Sequence, residues 1–262
     1  MKYQMCKTLI AIAVLGTLSS QAAIAADKGN VSLTSGFDYS SGKYGTSDTT
    51  DILYIPLTGT YETGPWTLKL TVPYISITGT GTVNKDIGRY KTSTATTRTT
   101  ESGLGDVVAA ATYNVYAGTG INPWLVDLTG KIKFGTADQA KGLGTGQNDY
   151  AFQVDVYKTI DKFTAFGSLG SKVLGSPTNI ALDNIVYGSL GGSYKFTQQT
   201  SGGLILDLRQ KPSTTGSEQR ELTAFISHKI NKAWKSQGYV VKGFADGSPD
   251  WGAGAMVTYG FQ

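Results

Sequence analysis

The residues best suited to chemistry in this sequence are its one histidine, His228, and a set of regularly spaced charges. A histidine acts as a general base only with a nucleophile and an orienting polar group in hydrogen-bond reach. Ser227 is its sequence neighbour, so on a strand it points to the opposite face, and neither position 226 nor 230 is serine. His228 therefore reads as a structural or interfacial residue, although a hydrolase, if there were one, would need it. The glycines of GLGTG (Gly142 to Gly146) lack the Lys-Ser/Thr of a phosphate loop, and Ser189 in GSLGG has no glycine two residues before it, so neither is a catalytic motif. The acidic residues stand singly, without the spacing of a calcium loop. No enzyme, no metal and no cofactor is expected.

The charges tell more. Lys69, Asp106, Asp127, Lys131, Lys133, Asp155, Lys172, Lys195, Asp207, Arg209 and Glu221 share a property: in the alternating register of their stretches, all fall on the face opposite the apolar one. WLVDLTGKIKF sets Trp124, Val126, Leu128, Ile132 and Phe134 against Asp127, Thr129, Lys131 and Lys133. DYAFQVDVYK opposes Tyr150, Phe152, Val154 and Val156 to Gln153, Asp155 and Tyr157, and GGLILDLRQ opposes Leu204, Leu206 and Leu208 to Asp207 and Arg209. A period of two belongs to a strand whose faces meet different surroundings.

The elements that must position these charges follow. About twelve segments alternate in this way, from NVSLTSGFDY to the terminal WGAGAMVTYGF, each near the roughly 9–11 residues that a tilted membrane strand needs. In AWKSQGYVVKGF the phase is ambiguous, because either choice turns Lys242 or Gln237 toward the apolar side. The links alternate too. GKYGTSDTT, the Thr-rich run from Gly79 to Gly103, GTADQAKGLGTGQN, GSPTNIALDN, KPSTTGSEQ and ADGSPD are mostly long and polar; ETGP, AGTGINP, TIDK, TQQT and INKA are mostly short. A soluble β-protein also alternates, but long loops at one end, tight turns at the other and aromatics at strand ends are the pattern of an outer-membrane barrel.

The totals agree. The chain has 262 residues, with 34 glycines and 15 tyrosines, which favours strands and turns. Its 23 basic and 19 acidic residues include Lys2 and Lys7 at the N-terminus, so the remainder is close to neutral and no nucleic-acid partner is expected. Mean hydropathy is −0.13, as expected where inward polar residues offset outward apolar ones. MKYQMCKTLIAIAVLGTLSSQAAIAAD has the basic start, short apolar run and small-residue end of a secretory signal, with cleavage near Ala25. Cys6, the one cysteine, would leave with it. The expected organisation is a signal peptide over residues 1–25 and a barrel over 26–262.

Several stretches resemble a family of bacterial outer-membrane proteins, the MetA-pathway of phenol degradation family, often labelled "transporter". They are SGLGDVVAAATYNVY, KIKFGTADQAKGLGTGQNDYAFQVDVYK, FGSLGSKVLGSP, YGSLGGSYKF and DGSPDWGAGAMVTYGF, in that order over most of the chain. Gly135 departs from it, since the family commonly has proline there, as does Gln262, which follows the terminal aromatic Phe261. The resemblance implies a barrel in the outer membrane and passage of aromatic compounds, without a defined set of binding residues.

The sequence reading is thus all-β: a transmembrane antiparallel barrel of about twelve strands in the bacterial outer membrane, acting as a passive channel for small solutes. Lys69, Asp106, Asp127, Lys131, Lys133, Asp155, Lys172, Asp207, Arg209 and Glu221 are the expected pore-lining residues. Expected partners are outer-membrane lipid, a small-molecule solute, and the barrel-assembly machinery, which would read Tyr259 and Phe261 of the last strand. The competing reading is a closed structural barrel that binds a partner through its outer loops.

Overall fold

Alternating segments cannot satisfy their backbone in lipid unless every strand has two neighbours, and the chain meets that demand by closing on itself. The computed structural model describes residues 29–261 apart from 81–82, 85–87, 90–96 and 179–180. The expected signal peptide, Cys6 and Gln262 lie outside the described residues. Twelve strands form the wall: β1 (Asn30–Gly42), β2 (Thr50–Thr63), β3 (Trp66–Gly79), β4 in two segments (Thr99–Leu104 and Val108–Ala117), β5 (Trp124–Lys133), β6 (Asp149–Ile160), β7 (Phe163–Val173), β8 (Ile185–Lys195), β9 (Thr200–Arg209), β10 (Gln219–Lys229), β11 (Trp234–Gly243) and β12 (Trp251–Gly260). Each pairs antiparallel with its sequence neighbours, and β12 pairs with β1 (Trp251 with Ser41, Gly260 with Ser32), which completes a closed barrel.

The faces follow the alternation. Trp66, Leu68, Leu70, Val72 and Tyr74 of β3 are exposed on the outside, while Lys69, Thr71, Ile75 and Ile77 are buried inside. At the short-turn end the outward aromatics gather into a girdle: Trp66 on Tyr113 (ring centroids 4.7 Å), Tyr194 on Phe196 (5.5 Å) and Trp234 on Tyr259 (4.8 Å). Tyr259 in turn meets Phe261 edge-on, and Lys158 lies 4.8 Å over the Trp124 ring. Amphipathic rings at strand ends suit the membrane–water boundary. The ambiguous eleventh segment resolves with Gln237 inward and Lys242 outward, its Nζ donating to the Asp250 carbonyl at 2.9 Å near the long-loop rim. There the amine keeps a polar partner and reaches water.

Two prolines explain the irregular strand. Pro56 and Pro73 face one another across β2 and β3. Neither has an N–H, and each leaves a gap in the ladder on its far side. The β1–β2 pairing skips from Ser35–Leu57 to Asp38–Tyr54. On the β3–β4 side the register moves from Tyr74–Leu104 to Thr71–Val108, so three residues, Gly105 to Val107, oppose two. This bulge reverses the phase of β4: Leu104 is exposed outside, whereas Thr112 bonds Thr129 inside.

Candidate functional site: the barrel lumen

The lumen has two unlike walls and a covered mouth. Along β3 to β8 runs a polar network. The bulge turns Asp106 inward, where its Oδ2 accepts from Lys133 Nζ at 2.8 Å and its Oδ1 from the Ala137 N–H at 2.8 Å. Lys133 also lies 3.3 Å from Asp149, which pairs with Lys172 at 3.1 Å and accepts the Gly175 N–H at 3.0 Å. Deeper in, Lys131 donates to Gln153 Oε1 at 3.0 Å, as does the Tyr187 hydroxyl at 3.1 Å, and Gln153 Nε2 donates to Asp155 at 2.6 Å. Asn114 donates to Asp127 at 2.6 Å. Lys69 is buried on the neighbouring strand of this wall.

Next to this network, and sharing β6 and β7 with it, the inner face turns apolar. Tyr157, Phe166 and Ile205 form a slanted band with Phe225, Tyr239, Val241 and Met256, and Leu125 packs against it. The rings lie against the wall because glycines face them: a Cβ on Gly191 would come within 2.3 Å of the Phe166 ring, and one on Gly254 within 2.3 Å of Tyr239. The Tyr239 hydroxyl donates to Asp38 at 2.8 Å. Above the band, Asp207 and Glu221 stand directly opposite each other on β9 and β10, and Arg209 is next on the same face.

The mouth is where the sequence reading needs correction. GLGTG belongs to a long polar link at the outer end in that reading, yet Leu143 and Thr145 are buried, each 2 % exposed. The link over residues 134–148 folds into the barrel, and Ala137 and Leu143 pack on Tyr44, Ile52, Ile75, Ile77 and Val83. The inward-facing isoleucines of β2 and β3 offer that loop an apolar seat, and the Ala137 N–H ties it to Asp106. Burial pushes the Tyr44 phenol well up, and its hydroxyl donates to Ser40 at 2.8 Å. The Thr-rich link also shortens, because β3 runs on to Gly79 and pairs with Thr99 to Leu104.

Of the expected lining residues, Lys69, Asp106, Asp127, Lys131, Lys133, Asp155 and Lys172 come together on one wall, while Asp207, Arg209 and Glu221 form a separate group. Asp149, Asn114 and Tyr187 join the network without having been singled out by sequence. Asp149 and Gln153 share the inward phase of β6, which was a usable signal, but nothing local pairs Asn114 with Asp127. His228 faces outward, with its Nδ1 2.9 Å from Thr200 Oγ1. Among the described residues no group of three His, Cys, Asp or Glu is placed to hold a metal.

No protein-family model matches the chain, and no curated relative is found. The phenol-degradation family name therefore gains nothing from sequence comparison. Solved structures do match. An outer membrane channel from Pseudomonas putida F1 superposes with a TM-score of 0.70 at 14% identity, covering 90% of this chain and 97% of that one. The KdgM porin reaches 0.50 at 12% identity, over 88% of this chain and 99% of that one. What they share with this chain is the fold. It is the outer-membrane barrel.

Proposed function

We propose that the protein is a passive outer-membrane channel for small organic solutes. The observation that carries this is the divided lumen: a polar network on β3 to β8 beside an apolar band on β6 to β12, with Asp155 and Tyr157 as successive inward residues of β6. A solute with an apolar body and a polar edge finds a partner on each wall, so it can shed water without a large penalty. Small aromatic compounds, the class implied by the family resemblance, have that shape. In this reading Lys69, Asp127, Lys131, Asp155, Asp207, Arg209 and Glu221 line the path. Asp106, Lys133 and Lys172 hold the wall and the inward loop, which sets how wide the mouth stands. The long loops face outward, the leader up to Ala25 directs export, and the strand carrying Tyr259 and Phe261 is what the assembly machinery reads.

The covered mouth favours the second reading, a closed barrel that acts through its outer loops. Planar-bilayer conductance separates the two. Discrete current steps whose cation preference rises in Lys131→Glu, but not in the outward-facing control Lys242→Glu, are the expected result. A folded barrel that carries no current overturns the channel.

A further inference from the structure

The short-turn end of the lumen carries cations that the fold leaves without anions. Lys195 ends β8, Lys229 stands at the end of β10 and Lys235 at the start of β11, all on the inward phase of their strands. Lys229 and Lys235 are directly paired, which puts their Cβ atoms about 5 Å apart and is destabilising for like charges. Lys133, Lys172, Arg98 and Arg220 each hold an acid, but among the described residues Lys195, Lys229 and Lys235 form no ion pair. One row of paired residues, Lys195–Ser201–Ser227–Gln237, crosses β8 to β11 beside the lysine pair. Lys195, Ser201, Ser227, Lys229 and Lys235 are all partly exposed, so this face is open to solvent. Gln237, one inward step beyond Lys235, is buried, and neither the oxygen nor the nitrogen of its amide has a partner. Lys195 and Lys229 are two strands and one inward step apart, about 12 Å between α-carbons, with only the two small serines between them.

We infer that Lys195, Lys229 and Lys235 form a binding site for a small organic dicarboxylate at the short-turn mouth of the lumen. This rests on the channel reading and names the solute class at one end of its path. One carboxylate lies between Lys229 and Lys235, where it turns a repulsive pair into two charge-assisted hydrogen bonds. The second reaches Lys195, and a short carbon spacer crosses the face left low by Ser201 and Ser227. The span selects for two charges: a monocarboxylate or a single phosphate satisfies the lysine pair or Lys195, but not both. The site also differs from the polar wall of β3 to β8, where Asp106, Asp127, Asp149 and Asp155 stand among the lysines and would repel an added anion.

The test is calorimetric titration of adipate, with hexanoate as the singly charged control, into the full barrel in zwitterionic lipid nanodiscs. Wild type should bind adipate saturably and more tightly than hexanoate. The double variant Lys229→Gln/Lys235→Gln should weaken adipate at least about tenfold, the worth of a lost hydrogen bond to a charged group. Lys195→Gln should bring adipate down to the affinity of hexanoate and leave hexanoate unchanged. Lys162→Gln, which removes a charge from the exposed β6–β7 turn at the same end, should change neither. Without ligand the double variant should melt at the wild-type temperature or above, because it removes a like-charge pair. Equal adipate affinity in wild type and double variant, hexanoate as tight as adipate, an equal loss in Lys162→Gln, or no saturable binding overturns the site. Conductance of the same preparations keeps the two ideas apart: binding without current removes the channel and leaves the site, and current without binding does the reverse.

Discussion

Lys133→Met is the sharpest perturbation of the polar wall. Met has a similar length and keeps the packing of the stem, so the change removes the ammonium alone. Lys133, Asp106 and Asp149 are 6 %, 3 % and 2 % exposed at their side chains. Asp149 retains Lys172 at 3.1 Å, but Asp106 would keep only the Ala137 N–H, a buried carboxylate without a cation in contact. Removing one partner of a buried pair costs about 3–5 kcal/mol, and the surviving Lys172 contact puts this case near 3. Adding Asp106→Asn removes the stranded charge and keeps an oxygen for Ala137, so the double variant should regain most of the loss. Urea titration in lipid vesicles, followed by tryptophan fluorescence, reads both values, and low and high salt should give the same cost because the pair is shielded from ions. The loop over residues 134–148 should also loosen from the mouth and raise the conductance. A cost below about 1 kcal/mol, or a double variant no better than the single, would refute the idea that this lysine locks wall and loop together.

The remaining predictions use the two faces of the wall. Leu204 points outward near the middle of β9, so Leu204→Arg should cost about 2–4 kcal/mol in the same titration. Gly254→Ala drives a methyl toward the Tyr239 ring and should push it into the lumen. The expected outcome is a narrower path, seen as a smaller unitary current, with Ala255→Gly on the outward phase of the same strand as an unaffected control.

How much of this could be read without coordinates depends on how local the determinant is. The strand count, the inward phase of Asp127, Lys131, Asp155 and Asp207, and the split into long and short links are written in a period of two, because each side chain on a strand takes its face from its own backbone. Where the backbone departs from a plain strand, the pattern blurs. β4 reads weakly because its bulge swaps the phase between Leu104 and Val108, and the cause, Pro73, sits on the neighbouring strand. Lys242 and Gln237 were ambiguous for a similar reason, since only the register with Met256 and Ser227 fixes which of them is inside.

The sequence by itself determined a barrel, its division into a long-loop end and a short-turn end, and the list of inward charges, since these follow from alternation and from link lengths. Tertiary structure decided the partners. Asp106 and Lys133 are 27 residues apart and meet only because a bulge and a strand pairing bring them together. The aromatic band comes from six strands, each contributing one or two residues that look like ordinary strand positions. The unsatisfied amide of Gln237 becomes visible only once its neighbours are known, because whether a polar group is paired is a property of the space around it and not of its place in the chain.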